Sequence, residues 1–202
     1  MPLALITGHS ICKWLSRYLA SGLDDRLALH FNLKNVAAVQ LYGVGGRTVE
    51  KWMKFDMPSL CFLCPDIVVL LLGDNDIQSD TDPHALAFKL ITLASQLHCK
   101  YQVKRIVLCQ ILPRFRCSGH TPYNYLDLAR SVNEILRTEV NSYSYITFWE
   151  HNGKFPFPDE NKDCSDKFRA DGVHLSNKGQ WYLYKSLRGA IMTASKKIRK
   201  ID

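Results

Sequence analysis

Short apolar runs separated by amphipathic segments make up most of the chain. An apolar run that is bounded by turn residues is typical of a strand buried on both faces. The clearest example is Ile67–Leu72, which stands between Pro65-Asp66 and Gly73 and consists of β-branched residues and leucine. Similar patterns predict five strands, at Leu3–Thr7, Val36–Tyr42, Ile67–Leu72, Arg105–Ile111 and Ile146–Trp149.

Helical periodicity fills the intervals between these strands. Asp82-Pro83 is a typical helix start, because an N-cap acid precedes a proline at the first helical position. The polar stretch Glu150–Ala170 predicts a long loop, in which His151 is a candidate for lining a pocket. Apolar residues at three- and four-residue spacing predict helices from Ile11 to about Ser21, over Thr48–Phe55, from Asp82 to about Tyr101, over Tyr123–Val140 and after a capping Ser176.

The alternation of strands and helices predicts the fold class. We expect an α/β fold, a three-layer sandwich in which helices cover both faces of a mainly parallel five-stranded sheet. The length of 202 residues suits one domain, which we place at residues 1–195, followed by a basic C-terminal tail at 196–202. Ligands of such sheets bind beyond the carboxyl ends of the strands, so the residues there are the candidates for function.

The charge of the chain adds a weak indication about partners. The formal net charge is +7, from 26 basic and 19 acidic side chains, and residues 196–202 hold four cations against one acid. A nucleic acid or a membrane surface is therefore an alternative partner, through this basic tail. The longest apolar run is too short to span a membrane, and no targeting segment is visible. We expect an intracellular protein, cytoplasmic or nuclear.

Seven cysteines without a secretion signal indicate reduced thiols. Cys61 and Cys64 have the CxxC spacing of a zinc ligand pair, which Cys117 and His120 could complete. Their apolar neighbours just before a strand favour buried structural thiols instead. Gly43–Gly46 does not match a phosphate-binding loop, because both the GxGxxG spacing and the GK[ST] ending are missing. We therefore expect no metal and no cofactor.

Polar and glycine-rich motifs follow three of the predicted strands. They are Gly8-His9-Ser10, Gly43–Gly46 and Gly73–Asp76, and a fourth motif, Asp171–His174, precedes the last helix. A serine needs an adjacent base to accept its proton, and imidazole suits that task near neutral pH. A carboxylate orients the imidazole, and preorganised N–H groups stabilise the oxyanion. These residue types together indicate a serine nucleophile that attacks a carbonyl group.

The motifs GHS, GGR, GDND and DGVH, in this order, resemble the four blocks of the SGNH (GDSL-type) hydrolase superfamily. The resemblance implies a flavodoxin-like fold and a serine esterase or acyl hydrolase that forms an acyl-enzyme from a small ester or acylated substrate. It makes Ser10 the nucleophile, His174 the base and Asp171 the orienting acid. It also implies an oxyanion hole built from the amides of Ser10 and Gly46 and the side chain of Asn75.

A narrower resemblance involves domains that animal retrotransposons encode. The strings at 44–48, 171–175 and 184–188 look like the SGNH domains in the first open reading frame of some LINE-type elements. This resemblance implies that the enzyme serves a retrotransposon.

Two positions depart from the family pattern. His9 replaces the usual acid of the first block, and Arg47 follows Gly46 where the family has an acid, which leaves Gly45 as the alternative oxyanion glycine. Both changes alter the electrostatics around Ser10, and Arg47 is expected to attract an anionic substrate. Two other functions stay open: a catalytically weak or inactive module that associates with a membrane, RNA or a protein, and an O-acyltransferase.

Overall fold

Five parallel strands form the sheet at the centre of the structure. The computed structural model describes residues 1–116, 122–158 and 163–199. The strands are β1 Leu3–Gly8, β2 Ala38–Gly43, β3 Ile67–Leu71, β4 Arg105–Cys109 and β5 Ile146–Trp149. They follow the order β2-β1-β3-β4-β5, and every neighbouring pair is parallel. The carboxyl ends of all five strands therefore lie at one edge of the sheet.

Helices cover both faces of this sheet. They are α1 Ser10–Ala20, α2 Val49–Phe55, α3 Leu60–Leu63, α4 Pro83–Tyr101, α5 Pro122–Glu139 and α6 Asn177–Ile198. Buried side chains of α1 and α6 share one core with the sheet, and those of α2, α4 and α5 share a second core. This arrangement confirms the predicted three-layer α/β fold. None of the described helices combines the length and the apolar character needed to cross a membrane.

Strand β3 shows why the central strands are continuously apolar. Ile67, Val69 and Leu71 belong to the core that α1 and α6 complete, whereas Val68 and Leu70 belong to the core of α4 and α5. Successive side chains of a strand point to opposite faces, so a strand that is covered on both faces has no position for a polar residue. All five side chains of β3 are accordingly buried.

The last helix extends beyond the predicted division of the chain. α6 continues to Ile198, whose side chain is buried in the core. The predicted boundary between residues 195 and 196 falls inside α6. Burial of the Ile198 side chain holds the last turn of this helix against the core. Lys196 and Lys197 of the predicted basic tail belong to α6, Arg199 follows it, and residues 200–202 lie outside the described part.

The prediction that Cys61 and Cys64 are buried structural thiols is wrong. Both side chains are exposed, because α3 is a single turn whose one buried residue is Leu60. The other members of the proposed zinc set, Cys117 and His120, lie outside the described residues. Among the residues that the structure does describe, no three histidine, cysteine or acidic side chains are grouped as a metal site requires.

The end of β2 fits closely against the first turn of α1. A Cβ atom at Gly43 would lie 2.4 Å from Cys12 Cβ, 2.5 Å from Lys13 N and 2.8 Å from the His9 carbonyl oxygen. Contacts this short leave no space for any side chain, so only glycine fits without a backbone shift. This close approach places the turn after β2 beside the start of α1.

We expect Gly43→Ala to lower the free energy of unfolding by about 1–3 kcal/mol, because the added methyl group overpacks the junction of β2 and α1. Gly45→Ala is the matched control, since no atom lies within 4 Å of a Cβ built at Gly45. Urea unfolding followed by circular dichroism measures both changes. Equal stability of the two variants would contradict the steric explanation.

Candidate active site

The carboxyl ends of β1, β2 and β3 meet at one place on the sheet edge. The Val44 N–H donates to the Gly8 carbonyl at 3.1 Å, and the His9 N–H donates to the Leu71 carbonyl at 3.2 Å. Ser10 follows directly as the first residue of α1. The first N–H groups of a helix have no acceptor within the helix, and they give this end a partial positive charge. The loops after three strands thus converge on Ser10.

Ser10, His174 and Asp171 form a chain of hydrogen bonds at this edge. Ser10 Oγ lies 3.2 Å from His174 Nε2, and His174 Nδ1 lies 2.8 Å from Asp171 Oδ2. The serine and the histidine stand 164 positions apart in the chain, so only the complete sheet brings them together. Their order is the one that a nucleophile, a base and an orienting acid require.

The surroundings of Asp171 keep its carboxylate ionised. Partial burial raises the pKa of Asp171, but the N–H groups of His174 and Val173 both donate to Oδ1 at 2.9 Å, and the imidazole contacts Oδ2. The net result is a pKa of about 2. An ionised carboxylate only accepts hydrogen bonds, so Nδ1 of His174 donates to it. Nε2 is then free to accept the proton of the Ser10 hydroxyl.

The loop that carries Asp171 and His174 is fixed through Gly172, which has a φ of +66°. The Phe115 N–H donates to the Gly172 carbonyl at 2.8 Å, and the Arg169 N–H donates to the His174 carbonyl at 2.7 Å. Trp14 of α1 packs against the His174 ring with the centroids 6.0 Å apart. The backbone bonds thus hold the loop, and the aromatic contact lies against the imidazole itself.

The side-chain amide of Asn75 is held in one orientation after β3. Its Nδ2 donates to the Arg47 carbonyl at 3.0 Å, and its Oδ1 accepts from the Arg114 guanidinium at 3.0 Å. A carbonyl only accepts and a guanidinium only donates, so the two partners determine which end of the amide is nitrogen. One N–H bond of Nδ2 is left for a further acceptor, such as an oxyanion.

The glycines predicted for the oxyanion hole lie in an exposed turn between β2 and α2. Gly46 has a φ of +72°, in the left-handed region that glycine favours. The bond from Asn75 to the Arg47 carbonyl attaches this turn to the turn after β3. The choice between Gly46 and Gly45 stays a prediction.

Arg47 has a structural partner in place of the expected anionic substrate. Its Nε lies 2.6 Å from Asp56 Oδ2, and its NH2 lies 3.2 Å from Oδ1 of the same carboxylate. Asp56 is buried, and the guanidinium also lies over the Phe55 ring at 5.2 Å. The expectation that Arg47 attracts a substrate anion is therefore not supported, because a buried carboxylate already balances its charge.

His9 has a role that sequence reasoning missed. Its buried ring caps α1 by accepting from the Ile11 N–H at 3.5 Å through Nδ1, and its Nε2 lies 2.5 Å from Asp74 Oδ2. Asp74 is also buried, and its Oδ1 accepts from the Tyr125 hydroxyl at 3.4 Å. The pair links the residue before Ser10 to the residue before Asn75. The sequence did contain an indication of this pair, namely a histidine at position 9, where the family has an acid, and an acid at position 74 in the GDND motif.

The charge of Asp74 depends on this contact. Burial raises the pKa of Asp74, but the His9 imidazole and the Arg114 guanidinium lower it more, to about 2. The ordinary value for this carboxyl group is 3.8. The folded protein thus binds the proton less strongly than the unfolded chain does. The contribution of the pair to the free energy of unfolding is therefore complete at a pH above 3.8, and it is lost as the pH falls toward 2.

His151 lies in the core rather than in a pocket. Its side chain is 0% exposed, its Nδ1 lies 3.0 Å from Ser186 Oγ, and burial lowers its pKa to about 4. A groove of about 590 Å³ occupies the sheet edge nearby, at the carboxyl ends of β4 and β5. The residues that line it include Gln110, Arg130, Arg137, Phe148, Trp149 and Phe157.

The sequence as a whole also matches a known protein family. The sequence pattern of the GDSL-like lipase/acylhydrolase family matches residues 7–182, which include all four motifs. The chain belongs to this family. The resemblance of the four motifs to the SGNH (GDSL-type) hydrolases is thereby confirmed at the level of the superfamily. No curated protein matches the chain.

Solved structures of a lipase, a lipase/acylhydrolase and an esterase have the same fold as this family member. A GDSL-like lipase from Bacteroides thetaiotaomicron is 18% identical and covers 96% of this chain and 89% of its own, with a TM-score of 0.74. A lipase/acylhydrolase from Enterococcus faecalis is 17% identical, covers 96% of each chain and has a TM-score of 0.68. An acetylxylan esterase from Geobacillus stearothermophilus is 17% identical, covers 94% of each chain and has a TM-score of 0.59.

We expect His9→Ala to lower the free energy of unfolding by about 3–5 kcal/mol at pH 7, because Asp74 stays buried without its imidazole partner. The double variant His9→Leu with Asp74→Leu should lose less than the two single variants together, since it removes the charge with its partner. Urea unfolding measures His9→Ala, the double variant and the two single variants His9→Leu and Asp74→Leu. Arg130→Ala, which breaks the exposed pair with Asp127, is the control and should cost below about 1 kcal/mol. Additive losses at positions 9 and 74 would contradict the coupling.

Proposed function

We propose that this member of the GDSL-like family is a serine esterase or acyl hydrolase that cleaves a carboxylic ester through Ser10, His174 and Asp171. The observation that carries the proposal is the 3.2 Å contact between Ser10 Oγ and His174 Nε2, with Asp171 bonded to Nδ1 behind it. The name of the matched family and those of the structural relatives, a lipase and an acetylxylan esterase among them, support an ester as the substrate class.

In the first half of the proposed reaction, Ser10 Oγ attacks the ester carbonyl carbon while His174 Nε2 takes the hydroxyl proton. Asp171 stabilises the imidazolium that forms and keeps its own charge, in agreement with its low pKa. The carbonyl oxygen becomes an oxyanion, which accepts hydrogen bonds from the amides of Ser10 and Gly46 and from Asn75 Nδ2. His174 then gives its proton to the leaving alcohol, and the acyl group stays on Ser10.

In the second half, water attacks the acyl group on Ser10 by the same route, with His174 again as the base. The carboxylic acid leaves and the serine hydroxyl is restored. The side chains of His174 and Asp171 are 28% and 46% exposed, so water has access to the acyl-enzyme. This exposure favours hydrolysis over O-acyl transfer, which needs water to be excluded. Product analysis in the presence of sugar acceptors distinguishes the two reactions.

We also propose that the enzyme serves a LINE-type retrotransposon inside the cell. The string at 171–175 contains the acid and the base, and the string at 184–188 lies in α6, where Tyr184 stacks on Phe31 in the core. The narrower resemblance therefore involves packing residues as well as the site. A reverse-transcriptase reading frame beside the coding sequence, and a cytoplasmic or nuclear location of the tagged protein, would support this proposal. Secretion of the tagged protein would contradict it.

We expect Ser10→Ala and His174→Ala each to lower kcat/KM for p-nitrophenyl acetate by about 10⁴–10⁶, because they remove the nucleophile and its base. Asp171→Asn should lower it by about 10²–10⁴, since an amide can no longer hold Nδ1 as the donor. Ser16→Ala in the same helix and His84→Ala at the exposed start of α4 are the matched controls and should keep the activity of the parent protein.

A fluorophosphonate probe that labels the parent protein and not Ser10→Ala, with the adduct located on Ser10 by mass spectrometry, completes this test. Undiminished turnover in either the Ser10 or the His174 variant would overturn the proposed mechanism. Absence of both turnover and labelling in the folded parent protein would favour an inactive module.

We expect Asn75→Ala to lower kcat by about 10²–10³ with little change in KM, because its amide acts on the oxyanion and not on the bound ester. Arg114→Ala should cause a smaller loss, since Asn75 Nδ2 keeps its bond to the Arg47 carbonyl and only the bond to Oδ1 is lost. The double variant should be no slower than Asn75→Ala alone. Steady-state kinetics on the same ester measures all three, and losses that multiply would show that Arg114 acts independently of Asn75.

A further inference from the structure

Four partly exposed aromatic side chains lie on the neighbouring helices α1 and α6, two on each helix. Trp14 and Tyr18 stand one turn apart on α1, and Trp181 and Tyr182 stand in the first turns of α6. Tyr18, Trp181 and Tyr182 line one shallow pocket of about 350 Å³, and the two α6 rings are in edge contact with centroids 4.9 Å apart. We name these four residues the aromatic stripe.

Cations lie over the rings of this stripe. Arg169 and Arg17 lie 4.4 Å and 5.1 Å from the centre of the Trp14 ring. Lys185 Nζ lies 4.0 Å from the centre of the Trp181 ring. Tyr182 has two lysines near its ring, Lys167 at 5.5 Å and Lys154 at 5.6 Å. Ring and charge are thus paired at three of the four positions.

The positive charge of this surface is only partly neutralised. Asp24 pairs with Arg26 and Asp166 pairs with Lys178 beside the stripe. Hydrogen bonds from Ser165 are the main cause that lowers the pKa of Asp163, to which Lys167 adds a smaller effect. The five cations over the rings make no ion pair with a carboxylate anywhere in residues 1–116, 122–158 and 163–199. The surface therefore combines aromatic rings with a net excess of positive charge.

We propose that the aromatic stripe binds single-stranded nucleic acid. Proteins that bind single strands without sequence preference combine cations for the phosphates with aromatic rings on which unpaired bases stack. A duplex keeps its bases inside and offers only its phosphates, so it can contact the cations of this surface but cannot stack on the rings. The stripe passes to the active-site edge, because Trp14 contacts His174, and a strand bound here would end beside that histidine.

A membrane surface fits the stripe less well. Insertion into lipid needs large apolar side chains that project from the protein, and the four rings are half-buried instead. Leu23 and Leu29, in the segment between α1 and β2, are the projecting apolar side chains nearest to them in the chain, 71% and 49% exposed. A lipid surface would therefore use these leucines, whereas a nucleic acid would not.

The proposal is independent of ester hydrolysis and is tested on the whole chain with a fluorescein-labelled 12-nucleotide oligouridylate. Fluorescence anisotropy should show binding whose log K falls with log salt at a slope of about −2 to −3.5, as expected for three to five neutralised phosphates. The variant with Lys154, Lys167 and Lys185 changed to Glu should bind at least about tenfold more weakly, with a shallower slope.

The matched control changes Lys51, Lys54 and Lys100 to Glu, which gives the same net charge. These lysines are exposed on α2 and α4, over the opposite face of the sheet. The control should bind oligouridylate with an affinity within about twofold of that of the parent protein. If both triple variants lost the same affinity, net charge alone would explain the binding and the proposal would be overturned. Circular dichroism and thermal melting check that both variants fold.

Two further measurements separate stacking from charge and nucleic acid from lipid. Trp181→Leu with Tyr182→Leu keeps apolar packing and should weaken oligouridylate binding at constant salt slope. A 12-base-pair duplex should bind more weakly than the single strand. The proposal would be overturned if the protein did not bind oligouridylate near 50 mM salt. Binding to phosphatidylserine vesicles that is lost in the double variant Leu23→Ser with Leu29→Ser, without any oligouridylate binding, would show a lipid surface as the partner instead.

Discussion

The buried contact between His9 and Asp74 is the interaction on which the geometry of the site depends. An imidazole and a carboxylate that leave water together must each find partners, or the fold loses stability. The Ile11 N–H and the Tyr125 hydroxyl supply these partners. Because residue 9 precedes Ser10 and residue 74 precedes Asn75, this contact sets the distance between the start of α1 and the turn after β3. Ser10 and the Asn75 amide are therefore positioned as one unit.

Two contacts of a histidine with an aspartate occur among the described residues, and burial separates their roles. His9 is 2% exposed beside Asp74, whereas the His174 side chain is 28% exposed beside Asp171. Both carboxyl groups have a pKa of about 2. The His9 imidazole and the Arg114 guanidinium lower the pKa of Asp74 in the interior, and backbone N–H groups lower that of Asp171 near the surface. Only the exposed imidazole can exchange protons with a substrate and with water. The same pair of residue types thus holds the structure in one place and suits proton transfer in the other.

The sheet, and the meeting of its strand ends, could be predicted because apolar runs and parallel order are local or general properties. Asp171 and His174 could be placed near Ser10 only through the family resemblance, since nothing local joins positions so far apart. The partner of His9, the burial of Ile198 and the exposure of Cys61 could not be predicted. Each depends on which side of a turn or helix faces a neighbour, and a residue pattern of one turn does not determine that.

The separation of 164 positions between Ser10 and His174 also bears on when the proposed chemistry can begin during synthesis. A growing chain presents the serine early, but its base leaves the ribosome only after four more strands, and the helix that follows must still dock. A nascent or half-folded chain therefore carries the Ser10 hydroxyl without the His174 imidazole beside it. The geometry on which the proposed chemistry depends is therefore complete only once α6 has docked on the sheet.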